Sequence, residues 1–243
     1  DGLDPTYQHA LLDDKGNLAP AYRQRLQLLT GPQLTVEYVG LHTGDPTSPL
    51  HDVRVRQAMA LATDRAGLAA HVLRHTVAPA SQGMLPPGLG PCDSALARVA
   101  ALPQGWAAVG IRVELSVEEP SALRQQVRAG TAQLWRASWA ADYAHPENFL
   151  ALFYSPNHPP AGSNTSRMAL PAFDQAYTRL LAATATADQC ALAHALSAQL
   201  VAHCPVIPLY YYRIWRVALP RVQGLPAHSM GLQLPLQYVW LAR

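Results

Sequence analysis

Apolar and polar residues alternate with period two along Leu34–Leu41 (LTVEYVGL) and again along Ile111–Val117 (IRVELSV), the pattern of half-buried strands. Between them, Val55, Ala58, Met59 and Ala62 recur at helical spacing, which predicts a helix over Val53–Leu73 with Asp52 at its N-cap. Pro120-Ser121 opens a second helical pattern that Gly130 closes, and Gln133–Trp139 reads as another strand. Strand, helix and strand with short connections predict a parallel, right-handed βαβ unit. Phe173, Ala176, Tyr177, Leu180 and Leu181 mark an amphipathic helix opened by Pro171. A further helix over about Asp188–His203 carries Leu192, Leu196 and Leu200, and Cys204-Pro205 stops it. Val206–Tyr212, Trp215–Leu219 and Leu236–Leu241 read as strands. Residues 1–33 are turn-rich, and residues 79–105, with five prolines and four glycines, form a loop with little room for regular elements. The sum is an α/β arrangement with a mixed sheet flanked by helices.

Composition narrows the chemistry. The chain has 243 residues, enough for a substantial core, and a net charge of +2 that gives no reason to expect a nucleic-acid partner. Its basic residues are seventeen arginines and one lysine, Lys15, so any Schiff-base chemistry would have to use that single turn residue. GxSxG, HExxH, Gly-rich phosphate loops and paired catalytic carboxylates are all missing, which points away from an enzyme. Cys92, Cys190 and Cys204 form neither a CxxC nor a zinc pattern, and an odd count defines no closed disulfide framework. Cys190 and Cys204 flank one helix at about 21 Å, beyond bonding reach, and all three are expected to be thiols. The start, DGLDPTYQ, carries no leader pattern. The longest stretch free of Asp, Glu, Lys and Arg, Gln189–Tyr212, is interrupted by polar residues and prolines, so a soluble protein is expected.

One stretch reads as a ligand site. Asp142 lies in LWRASWAADYAHPENFLALFYSPN, just past the carboxyl end of the expected parallel strand, where open α/β sheets collect ligands. A carboxylate ringed by Trp139, Tyr143 and Phe149 would anchor a cation; a helix cap or turn acceptor is the structural alternative. Trp139 and Tyr143 are amphipathic aromatics that line pockets or pack cores equally well. His71 and His75 stand four apart on the expected first helix, a metal-capable spacing without a third ligand, so no metal or other cofactor is expected.

Several blocks together resemble one family. DVRVRQAMALATDRAGL (52–68), MLPPGLGP (84–91), GIRVELSV (110–117), SWAADYAHPENFL (138–150), SNTSRMALPAFDQAYTRLL (163–181) and CPVIPLYYYRIWRV (204–217) are similar, in order, to motifs of the extracytoplasmic solute-binding proteins of the oligopeptide/dipeptide class. The resemblance implies a periplasmic-binding-protein-like lobe, periplasmic or extracellular and membrane-tethered, that captures a small peptide or peptide-like solute and delivers it to the membrane subunits of an ABC importer. It implies that Asp142 holds the α-ammonium, that Arg136 pairs with a short peptide's carboxylate, and that main-chain groups around Ala140–Ala141 complete the contacts. A cross-strand ion pair is the alternative for Arg136. Asn164, in a GSN turn, is either a contact or a turn residue. Complete members of the family are roughly twice as long. The chain therefore resembles the C-terminal lobe alone, shortened between Pro91 and Trp106, with residues 34–225 as the lobe, 1–33 a remnant of what precedes it and 226–243 a strand returning toward the hinge. A second chain supplying the missing lobe, or a repurposed lobe serving as an interaction subunit, is the accompanying expectation.

Overall fold

In the computed structural model, residues 7, 10–13, 15–95, 105–226 and 236–242 are described. A four-stranded sheet in the order β2-β4-β1-β3 organises the fold, built from β1 (Gln27–Leu41), β2 (Val77–Pro79), β3 (Leu134–Ala140) and β4 (Val206–Ala218). Every pairing in it is antiparallel. β1 begins at Gln27, seven residues ahead of the alternation at Leu34, and β4 fuses the two strands expected over 206–219.

The central strand is buried on both faces because alternate side chains enter different cores. Leu34, Val36 and Tyr38 join Phe149, Phe153, Phe173, Leu180 and Leu196 in the main core. It is covered by α3 (Pro171–Ala182) and α4 (Thr186–His203). Val39 and Leu41 point the other way, into a smaller core with Leu50, Met59 and Ile207 beneath α1 (Val53–Ala62).

Local chemistry explains the helix boundaries. Asp52 caps α1 by accepting from the Arg54 N–H at 2.9 Å. The expected helix over Val53–Leu73 breaks after Ala62. There Thr63 Oγ1 donates back to the Met59 carbonyl at 2.8 Å, and Asp64 starts a new turn by accepting from the Gly67 N–H at 2.8 Å. α2 (Pro120–Ala129) follows its sequence signals: Glu119 caps it, Pro120 opens it, and Gly130 ends it in the left-handed region at φ 82°.

Three expectations are corrected. Residues 111–119 form no strand, so the expected parallel βαβ unit does not form; β3 is an edge strand antiparallel to β1. Alternation makes a segment fit for a sheet, but a strand also needs a neighbouring edge, and Leu115 and Val117 remain 89% and 88% exposed. Cys92 and Cys190 are bonded, with Cα atoms 4.9 Å apart; only Cys204 is a free, buried thiol. Folding closes the 98-residue separation between the pair, and this lies beyond any spacing rule. Finally, the strand expected over Leu236–Leu241 is a 3-10 turn, Leu236–Tyr238, followed by β6 (Trp240–Leu241) against β5 (Val222–Gln223). Part of residues 1–33 and residues 227–235 and 243 of the expected returning strand lie outside the described residues.

Candidate functional site

β3 sorts the expected site residues by the parity of its side chains. Ala137 and Trp139 pack against the main core and Trp135 is buried on the same face, whereas Arg136, Ser138 and Ala140 are exposed on the opposite face. Trp139 is half-buried, and its indole N–H donates to Asn148 Oδ1 at 2.9 Å. It is a fixed wall. Ala140 pairs with Thr35, and the Ala141 N–H donates to the Leu34 carbonyl at 2.8 Å, the last rung before the chain leaves the sheet.

Asp142 comes next, exposed in a bend at the end of β3. Among the described residues its carboxylate accepts no hydrogen bond and forms no ion pair. It neither caps a helix nor sits beneath apolar neighbours. The other carboxylates nearby in sequence or on the sheet are engaged. Glu147 opens the short helix Glu147–Leu150 and accepts hydrogen bonds from the hydroxyls of both Tyr143 and Tyr177. The hydrogen bond to Glu147, then burial, raises the Tyr143 pKa above the usual phenol value. For Tyr177 burial comes first and the Glu147 bond second, in the same direction.

Arg136 is held rather than free. Its Nε is ion-paired with Glu37 Oε1, and its Nη2 donates to the Tyr210 hydroxyl at 3.0 Å. Tyr212 donates to Glu37 Oε2 at 3.0 Å, so both carboxylate oxygens of this 4%-exposed residue are satisfied. Burial works against the Arg136 charge, but the Glu37 hydrogen bond and field outweigh it and raise the pKa. The structural alternative, a cross-strand ion pair, is the arrangement observed.

Asn164 is 0% exposed, and its amide is spent inside its own loop. Nδ2 donates to the carbonyls of Tyr154 and Met168, and Oδ1 accepts from the Ser166 hydroxyl at 2.9 Å. A side chain sealed from solvent with its bonds made inside its own loop is the arrangement of the turn-residue alternative. His71 and His75 do not share a helix face, because helical backbone ends at Val72 and His75 adopts φ 60°. Among the described residues no group of three or more His, Cys, Asp or Glu side chains could hold a metal. No described helix is long and apolar enough to cross a membrane.

Sequence reasoning did not single out Glu37, Glu147 or Asn148. A lone glutamate in an otherwise apolar strand, LTVEYVGL, was the one available signal for Glu37.

No protein-family model matches the chain. It is 32% identical over 116 residues to the periplasmic oligopeptide-binding protein OppA of Escherichia coli, an alignment spanning 48% of this chain and 21% of that protein. The periplasmic murein peptide-binding protein MppA of the same organism is 27% identical over 121 residues, 50% of this chain and 22% of its own. Among solved structures, the unliganded open form of MppA superposes with a TM-score of 0.78 at 21% identity, covering 99% of this chain and 52% of that one. The Haemophilus influenzae OppA complex with RPPGFSPFR gives 0.69 at 18% identity, covering 89% and 50%. The chain thus spans about half the length of these structures, and its alignments cover about a fifth of the curated relatives. Over about half its length the chain is similar in sequence to periplasmic peptide-binding proteins, and it has the fold of about half of the solved MppA and OppA structures.

Proposed function

We propose that this chain is the ligand-binding half of a substrate-binding protein that delivers a peptide or peptide-like cationic solute to the membrane subunits of an ABC importer. The observation that carries this is the unengaged carboxylate of Asp142 at the end of β3, beside one acid that is ion-paired, Glu37, and one that is hydrogen-bonded by tyrosine hydroxyls, Glu147. Asp142 would neutralise the solute's ammonium group, Trp139 would wall the site, Tyr143 would cover it, and main-chain groups at Ala140–Ala141 would add polar contacts. In this reading the lobe starts with β1 at Gln27, ahead of the expected bound at 34, because Gln27–Pro32 pair with Arg213–Ala218 in its sheet. Closure of that lobe excludes water, and a charge-assisted hydrogen bond to a desolvated ammonium is then worth about 1.5–3 kcal/mol. A periplasmic or membrane-tethered extracellular location agrees with the Cys92–Cys190 bond, since disulfides persist in oxidising compartments. Arg136 serves as scaffold, and Asn164 is left out of the site.

Calorimetry on the full-length protein with trialanine tests the assignment. Asp142→Asn should weaken binding by about tenfold or more, the equivalent of ~1.4 kcal/mol. Unchanged affinity would remove Asp142 from the site. A second reading, a repurposed lobe acting as an interaction subunit, is favoured by one observation: the exposed apolar side chains of Leu115 and Val117. Native mass spectrometry separates the two, since a receptor carries a small molecule and a subunit carries a partner chain.

A further inference from the structure

On the exposed face of β3 the one guanidinium is already spoken for. Glu37 lies on the central strand β1, two residues along from Val39, the cross-strand partner of Arg136. Its side chain is 6% exposed and that of Arg136 68%, so the arginine lies over the acid like a lid. Nε and Nη2, one edge of the guanidinium fork, are occupied by Glu37 and by the Tyr210 hydroxyl. Tyr212 holds the other oxygen of Glu37 at 3.0 Å and fixes the acid where it is.

We infer that Glu37 sets the solute class by neutralising Arg136, so that this site selects an ammonium-bearing solute without recognising a carboxylate at its other end. The inference rests on Asp142 as the ammonium anchor. A solute carboxylate placed on Arg136 would approach the Glu37 charge, and drawing the guanidinium away would leave a buried, uncompensated acid. With Asp142 and Glu37 each negative and Arg136 positive, these three groups leave one negative charge for the solute to meet. The fitting class is therefore an ammonium-bearing solute with a neutral far end, or a peptide whose carboxylate is left to solvent. This departs from what the family resemblance implies for Arg136.

The test uses full-length protein and alanine peptides of three to six residues, each as the free acid and as the C-terminal amide. The range matters because six residues of extended chain separate Arg136 from Asp142 by about 20 Å, and bending shortens the gap. Acid and amide should bind within threefold of each other at every length. Glu37→Gln, which keeps an acceptor for Tyr212 but removes the charge, should free Arg136 and favour the acid by tenfold or more at the length that reaches it. A tenfold acid preference in the unmodified protein, or an unchanged acid-to-amide ratio in Glu37→Gln at every length, overturns the inference while leaving the peptide reading intact. If no alanine peptide binds in either form, the peptide reading itself falls, and the inference with it.

Discussion

The guanidinium of Arg56 donates two hydrogen bonds, at 3.0 and 2.7 Å, to the carbonyl oxygen of His203, the last residue of α4. It also reaches the carbonyls of Cys204, Leu50 and His51, all from a side chain only 6% exposed. A cation here satisfies carbonyls that the helix end leaves without partners and complements the negative end of the helix dipole. Nine residues on, Arg65 does related work, donating to the Pro208 carbonyl at 2.6 Å and the Ala60 carbonyl at 2.9 Å. The RVRQAMALATDR motif therefore bolts α1 to the strand and helix behind it. Arg56→Met should cost about 2–4 kcal/mol, since several buried carbonyls lose a charged donor at once. Urea denaturation measures it, and a loss under 1 kcal/mol would mean that water replaces the guanidinium.

Trp135 lies against its cross-strand partner Gly40 so closely that an added Cβ would sit 2.3 Å from the indole ring. Gly40 has ordinary strand backbone, so its role is space rather than conformational freedom. Gly40→Ala should destabilise by about 1–3 kcal/mol through displacement of the ring. A thermal melt followed by tryptophan fluorescence would report both the loss and the moved indole.

The Cys92–Cys190 bond ties the proline-rich loop to α4, alongside a hydrogen bond between His194 Nε2 and the Cys92 carbonyl at 2.8 Å. Replacing both cysteines by serine should cost about 2–4 kcal/mol. Dithiothreitol should lower the unmodified protein's stability by a similar amount and leave the double variant unaffected. Equal sensitivity of both proteins to the reductant would show that the bond contributes nothing.

Asp52 titrates low because Arg54 holds it, first through the guanidinium hydrogen bond and then through its backbone N–H, which brings the pKa down to about 2 from 3.8. A folded-state pKa below the unfolded one adds stability at pH values above the unfolded pKa, and that stability is lost as pH falls through the folded one. Asp52→Asn keeps a cap oxygen but has no charge to lose. The unmodified protein's advantage over the variant should therefore shrink between pH 4 and pH 2 and be constant above pH 5. A thermal-midpoint series across that range checks it, and an advantage that persists at pH 2 would contradict it.

Much of the fold was legible because local rules governed it. Pro120 and Gly130 bound α2 as their residue types require, and the apolar stripe of α3 identified Phe173, Tyr177 and Leu180 as core. Asp142 was legible as a carboxylate at a strand's end, although that strand is antiparallel and at the sheet's edge. Reading 111–117 as a strand failed because alternation says nothing about whether a pairing edge lies within reach.

What the amino-acid order settled alone was the set of local choices: where helices begin and end, which faces are apolar, and which side chains carry charge. These depend on neighbours within a few residues. Tertiary structure alone decided which distant groups meet: Glu37 with Arg136, and Cys92 with Cys190. A charge becomes a ligand anchor or a scaffold according to whether a partner arrives to neutralise it. That outcome depends on register and packing between segments far apart in sequence, 99 residues for Arg136 and Glu37.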